Sequence, residues 1–236
     1  MNFAARVGQF RREVQLAYER AEATITLSTE QGFTYWLAEG TILRGWALAE
    51  QGQEEEGLRQ LHQGLAAYGA TGAKLWQLYY LSLMAEVHGK VGRVEEGLAE
   101  LAEALSLVQN TGETEHEAEL YRLKGTLTLQ SKTSLGQVSV KSQTSRGTSE
   151  DTSPRPLTPD PQAEAEECFL KAIEIARKLQ AKSLELREVM SLARLWQQES
   201  KQKEAHKMLS DVYNWFTEGF DTKDLQEAKA LLESLT

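Results

Sequence analysis

The chain has 236 residues, of which 41% are hydrophobic and 26% charged, and its formal net charge is −9. So acidic a balance disfavours nucleic-acid binding, which normally needs a basic stripe. No apolar run approaches the roughly 18 residues that cross a bilayer, and no apolar block follows the first basic residues as it would in a signal peptide. The one cysteine, Cys168, has no partner for an internal disulfide, so we expect a cytoplasmic protein.

An internal repeat with a period of forty residues organises the sequence. The heptapeptide Gly-Gln-Glu-Glu-Glu-Gly-Leu at 52–58 returns as Gly-Arg-Val-Glu-Glu-Gly-Leu at 92–98. Gly32, Gly72 and Gly112 keep the same spacing. A fixed period in this range is typical of stacked helical repeats, and glycines at that spacing are suited to end helices with φ > 0.

Apolar residues at steps of three and four predict helices in chain order. Four repeats of two helices and a C-terminal capping helix make nine helices, and a half repeat precedes them. The fold class is therefore all-α, a right-handed α-solenoid of helix-turn-helix repeats. We expect the half repeat at 2–30, repeat 1 at 33–69 (helices 33–51 and 53–69), repeat 2 at 73–109 (73–90 and 93–109), repeat 3 at 114–130 plus 162–179, repeat 4 at 183–217 (183–199 and 201–217), and the cap at 222–235 with Asp221 as its N-cap.

The predicted helix 2–30 matches only the second half of a repeat. Its Ala17 and Ala21 precede Gly57 and Leu61 by forty residues, so we expect the first half of that unit to be missing. A repeat without its neighbour exposes an apolar face. Either the chain is a piece of something longer, or another surface covers this helix. A second copy would cover it through Phe3, Val7, Phe10 and Val14.

A serine- and threonine-rich segment, 131–161, interrupts repeat 3 and contains all four prolines. Gly125 and Ala165 lie forty residues apart where Gly45 and Gly57 lie twelve apart, so 28 residues are inserted. Such a composition buries too little apolar surface to offset chain entropy, which predicts a disordered insertion.

Small and large residues at fixed spacing resemble the tetratricopeptide repeat. That pattern has a small residue in the first helix, then small, large and small residues in the second, where the helices cross closely. The period of forty in place of the usual 34, the missing helix-closing proline and Val212 depart from the pattern. The four sets are Gly45/Gly57/Leu61/Gly64, Ala85/Gly97/Leu101/Ala104, Gly125/Ala165/Phe169/Ala172 and Ala193/Ala205/Leu209/Val212.

A sharper resemblance covers nearly the whole chain and is carried by 191–196 and 204–225. These segments look like the C-terminal repeat tail of bacterial multidomain proteins with a predicted P-loop ATPase and often a class III adenylate/guanylate cyclase domain. The sequence has no G-x-x-x-x-G-K-[ST] motif, so ATPase activity does not carry over. The resemblance implies a regulatory sensor or scaffold arm in signalling.

No residue pattern predicts chemistry, a cofactor or a metal site. His62, His88, His116 and His206 lie far apart, and His116-Glu117 lacks the second histidine of a zinc helix. Packed or solvated histidines are the better interpretation. Cys168 is expected to be a small buried thiol.

The predicted functional surface is the concave side of the solenoid. We expect the first helix of each repeat to face inward with the residues six before, three before and one after its small residue. Such a groove would hold an extended peptide or a helix. The alternative is that Trp46 and Tyr79 only pack between helices and the charges are merely solvated. The twelve predicted groove residues are Glu39, Ile42, Trp46, Tyr79, Ser82, Glu86, Glu119, Arg122, Thr126, Arg187, Met190 and Arg194.

Two hypotheses about function follow. The first is a non-catalytic interaction module that binds a protein segment, or that contacts an ATPase or cyclase module of its parent protein or in trans. The second is a structural fragment that forms a homodimer through the helix 2–30. An enzyme is a distant third, and neither nucleic acid nor membrane is an expected partner.

Overall fold

The computed structural model describes residues 2–142 and 160–236, with side chains described outside 132–142. Those two ranges contain eleven helices and no strand. None of these helices is long and apolar enough to cross a membrane. The helices are α1 (Asn2–Phe10), α2 (Val14–Gln31), α3 (Thr34–Glu50), α4 (Glu54–Ala70), α5 (Gln77–Lys90), α6 (Val94–Thr111), α7 (Glu117–Ser142), α8 (Pro161–Lys178), α9 (Lys182–Gln198), α10 (Gln202–Tyr213) and α11 (Lys223–Ser234).

Consecutive helices pack as hairpins, and each hairpin packs against the next. The pairs are α1/α2, α3/α4, α5/α6, α7/α8 and α9/α10, while α11 packs against both members of the last pair. The buried apolar residues form successive clusters along the chain, the two largest spanning α1 to α5 and α7 to α11. This succession confirms the expected all-α solenoid.

Close helix crossing explains the glycine inside α4. A Cβ atom placed on Gly57 would lie 2.5 Å from the carbonyl oxygen of Gly45, and one on Gly45 would lie 2.7 Å from the carbonyl oxygen of Gly57. Real Cβ atoms do not approach backbone oxygens so closely. The two small residues of the repeat pattern therefore mark the point where α3 and α4 touch backbone to backbone.

The prediction of one helix over 2–30 is wrong. The helix is interrupted by a turn at Arg11 to Glu13, and α1 packs against α2. Arg12 has φ 58°, in the left-handed region that Gly52 and Gly92 occupy at the equivalent turns. The predicted half repeat is thus a complete repeat, and α1 is the first helix that was predicted to be missing.

Several predicted boundaries also need correction. Helix α7 runs to Ser142, so 131–142 is helical where a disordered segment was expected; residues 143–159 of that segment lie outside the described residues. Helix α5 begins at Gln77 instead of residue 73, and α10 ends at Tyr213 instead of residue 217. The N-cap of α11 is Thr222, one residue after the predicted Asp221.

Candidate functional site

The inward-facing helices enclose one chamber on the concave side of the solenoid. Side chains from α1, α3, α5, α7, α9 and α11 surround a cavity of about 170 Å³, together with the turn before α7. Nine of the twelve predicted groove residues line it. They are Trp46, Tyr79, Ser82, Glu86, Glu119, Arg122, Arg187, Met190 and Arg194.

The other three predicted groove residues lie outside the chamber. Glu39 and Ile42 are fully buried. Helix α1 covers Glu39, whereas the Ile42 side chain packs against Gly64 of α4. The Thr126 hydroxyl donates to the carbonyl oxygen of Arg122 on its own helix, at 3.0 Å. On α3 the chamber wall therefore begins at Trp46, further along this helix than we predicted.

Arg6 of α1 packs against Glu39, which we had predicted to face the open groove. Its guanidinium donates to the Glu39 carboxylate at 2.8 Å and lies 3.8 Å from the ring centroid of Trp76. The hydroxyls of Tyr35 and Tyr80 also donate to Glu39. Sequence analysis missed this buried network, although Ala5 stands forty residues before Gly45 and would have marked α1 as an inward-facing helix.

Arg122 is the central charge of the chamber wall. Its guanidinium donates two hydrogen bonds to Glu119, at 2.8 and 2.6 Å. Burial alone would raise the pKa of Glu119, but this paired guanidinium holds it below its ordinary value. The geometry is that of a bidentate arginine–carboxylate pair, which fixes both side chains.

Glu188 lies behind Arg122 and is fully buried. One of its carboxylate oxygens is 3.7 Å from the Arg122 Nε, and neither oxygen has a hydrogen-bond partner among the described residues. Burial, and then the nearby Glu119, raise the pKa of Glu188 well above its ordinary value, and the positive charges of Arg122 and Arg187 offset only part of this rise.

Glu86 faces the chamber from α5. It accepts a hydrogen bond from the indole N–H of Trp46 at 3.0 Å, and it forms no ion pair within the described part of the chain. Burial and the negative charge of Glu119 raise the pKa of Glu86. Trp46 is 2% exposed, so it packs between helices as the alternative interpretation held, yet it also forms the chamber wall. Most of the chamber charges, by contrast, form ion pairs, whereas Glu115 is exposed to solvent.

Side chains near the two ends of the chain close the chamber. Arg12 donates to Asp224 at 3.3 Å and to Glu227 at 3.0 Å, both on α11. Arg187 donates to Asp224 at 2.7 Å and to the carbonyl oxygen of Phe10. The solenoid is therefore curved enough for its first turn to touch its last helices. The repeat period predicts contacts between neighbours and does not give this curvature.

A second cavity of about 380 Å³ adjoins the chamber and shares Phe10, Glu115, His116, Leu184 and Arg187 with it. We call this cavity the vestibule. Most of its exposed surface is apolar, and its remaining residues come from the turn after α1, from α9, from α11 and from the segment between α10 and α11. The polar chamber and the apolar vestibule together form one continuous concave surface.

The histidines and the cysteine occupy structural positions. His116 stacks near Tyr79, with ring centroids 5.4 Å apart, and burial lowers the pKa values of His116 and His88. Cys168 is buried, as predicted, and burial raises its thiol pKa. The described residues contain no group of three or more side chains placed to hold a metal ion.

Comparison with known proteins identifies the fold that this chain shares with solved structures. No family model matches the chain. No curated protein matches it either. Solved structures do. The fold is that of tetratricopeptide-like repeat proteins. A kinesin light chain-type protein with nearly identical TPR-like repeats from Podosopora anserina is 18% identical over 89% of this chain and 90% of its own, with a TM-score of 0.55.

Two other structures share this fold over most of their length. BtubC (BKLC) from P. vanneervenii is 15% identical over 96% of this chain and 82% of its own, with a TM-score of 0.59. PlcR from Bacillus thuringiensis, solved in complex with the peptide PapR7 and DNA, is 15% identical over 98% of this chain and 74% of its own, with a TM-score of 0.59.

Proposed function

We propose that this chain is a non-catalytic interaction module that binds a segment of a partner protein in the chamber and vestibule. The observation that carries the proposal is the convergence of polar and aromatic side chains from six inward-facing helices on one concave surface. PlcR, which has the same fold, was solved with a peptide, and this supports a peptide ligand.

The size of the chamber limits what it holds. A helix with side chains is about 10–12 Å in diameter, too wide for a chamber of about 170 Å³. The bound segment is therefore extended, with one side chain in the chamber and its neighbours in the vestibule.

A blocked chamber tests this proposal. Ser191 is partly buried, lines the chamber and is small, so Ser191→Trp would fill the space. The matched control is Ser106→Trp on α6, where the side chain is exposed on an outer helix. Peptides selected from a random library on the native chain should lose at least tenfold in affinity for Ser191→Trp and bind Ser106→Trp normally. Equal binding to both variants, with both folded by circular dichroism, would reject the chamber as the site.

A finer proposal concerns the parent protein. The resemblance of 191–196 and 204–225 to the repeat tails of ATPase and cyclase proteins supports a regulatory arm that contacts such a module. An in-frame P-loop motif in the coding sequence upstream of Met1 would support it. An in-frame upstream coding sequence for an unrelated protein would count against it.

Self-association is a second candidate, because part of α1 remains exposed. Phe3 is 69%, Val7 49% and Phe10 40% exposed, whereas Val14 packs against the core. The missing first half of a repeat no longer motivates this proposal, since α1 supplies that half. The exposed apolar side chains alone support it.

Light scattering distinguishes a monomer from a homodimer. If α1 forms a homodimer, Val7→Glu should yield monomers, and Leu170→Glu, a matched change at an exposed leucine of α8, should not. A native chain that is monomeric at tens of micromolar would rule out this candidate.

A further inference from the structure

The chain already contains one arginine site on its concave surface. Between the first two repeats, Arg6 lies one residue after the small residue Ala5, and Glu39 lies six residues before the next small residue, Gly45. These two positions meet as the ion pair at 2.8 Å. Trp76 covers the guanidinium at 3.8 Å, a favourable distance for a cation over an aromatic ring.

The same two positions between α5 and α7 carry two carboxylates. Glu86 lies one residue after Ala85, and Glu119 lies six residues before Gly125. Arg122 neutralises Glu119 from within α7. Arg122 and Lys90 act on Glu86 only at longer range. Within the described residues this step of the solenoid therefore lacks the direct ion-pair partner that Arg6 provides in the first step.

Carboxylates exceed cations around the chamber. Each arginine that lines it already has a carboxylate partner: Arg12, Arg122, Arg187 and Arg194 pair with acidic residues of α7 and α11. No arginine is therefore left for an anionic ligand.

By contrast, two carboxylates of the chamber wall have no cation of the described residues within ion-pair distance. Glu86 and Glu115 line the chamber and form no ion pair in 2–131 or 160–236. Glu86 accepts only the indole N–H of Trp46, and Glu115 is exposed, so both carboxylates can accept further hydrogen bonds. Carboxylates without a cation favour a ligand that is positively charged and donates hydrogen bonds.

We propose that the chamber binds the side chain of an arginine in the partner segment, with its guanidinium paired to Glu86 and Glu115 and packed against the rings of Trp46 and Tyr79. This inference rests on the proposed function, since it names the residue that the bound segment places in the chamber. The volume of about 170 Å³ suits one long side chain, and the apolar vestibule receives the residues beside it.

The test uses n-butylguanidinium as the probe and the indole N–H resonance of Trp46 as the reporter, assigned with Trp46→Phe. This N–H donates to Glu86, so a cation at Glu86 should shift it in a saturable way. Glu86→Gln should weaken the binding at least fivefold. Glu96→Gln, which removes the same charge from an exposed position on α6, should leave it unchanged, and butyrate should cause no saturable shift.

The inference fails if the native chain shows no saturable shift, if Glu86→Gln binds the probe as well as the native chain, or if butyrate binds equally. Failure of the proposed function looks different. If library peptides lose binding to Ser191→Trp but show no enrichment of arginine, the function stands and this inference falls. If the probe binds and no peptide does, the arginine site stands and the peptide function falls.

Discussion

Glu188 is a carboxyl group in an environment suited to an uncharged one. It is fully buried, its oxygens accept no hydrogen bond from the described residues, and its nearest cation, Arg122, already binds Glu119 at two atoms. An ionised group in this position costs free energy that a neutral side chain of the same shape avoids. The pKa of Glu188 is raised because ionisation of this buried group is unfavourable.

We predict that Glu188→Gln stabilises the protein at neutral pH by about 1 kcal/mol or more, the usual cost of an unsatisfied buried group. Because the folded pKa lies above the unfolded value, the native protein is fully stable with respect to this group below about pH 4 and loses stability as pH rises through the folded pKa. The gain from the variant should therefore vanish in acid. Urea unfolding at several pH values measures it, and a gain that stayed constant with pH would exclude titration of Glu188 as the cause.

At the scale of single elements, α1 shows how much of the fold is readable from sequence. The forty-residue register locates Gly45, Gly57 and their equivalents, because close helix crossing demands small side chains at fixed spacing. The forty-residue register also extends to Ala5. The turn at Arg12 was missed because an arginine at φ 58° does not indicate a turn in the sequence as glycine does at positions 52 and 92. The apolar spacing continued through the turn, and so one long helix was predicted.

The candidate site was predictable to the extent that it follows from the repeat. Positions counted from the small residues placed nine side chains in the chamber, since each inward-facing helix has the same orientation. Glu39 was misplaced because α1 was not recognised as a separate helix, and Ile42 because it faces α4 at the helix crossing. The pairing of Arg122 with Glu119 and Glu188 depends on side-chain conformation across helices, which spacing does not contain.

At the scale of the whole molecule, ion pairs between the first turn and α11 hold the solenoid closed. Partly exposed pairs such as Arg12 with Asp224 and Glu227 contribute roughly 0.2–1 kcal/mol each. Such contributions are small beside the stability of the stacked core. The helices should therefore remain folded when these pairs are broken, while the ends separate.

We predict that Arg12→Glu opens the solenoid, because it places a third negative charge beside Asp224 and Glu227. The radius of gyration from small-angle X-ray scattering should increase, and the helical content from circular dichroism should not change. Arg59→Glu is the matched control: Arg59 is exposed on the outer helix α4 and pairs only locally with Glu56. An unchanged radius for Arg12→Glu would show that the apolar contacts of Phe10 suffice to keep the ends together.

Arg12 also links backbone strain to the speed of ligand entry. Its left-handed conformation costs about 1–2 kcal/mol that a glycine would avoid, and its side chain bridges to α11. The residue that forms the turn between α1 and α2 is therefore the same one whose ion pairs with α11 close the chamber. Since electrolyte screens the bridge, the rate at which a ligand enters should rise with ionic strength, opposite to the usual slowing of encounters between oppositely charged molecules.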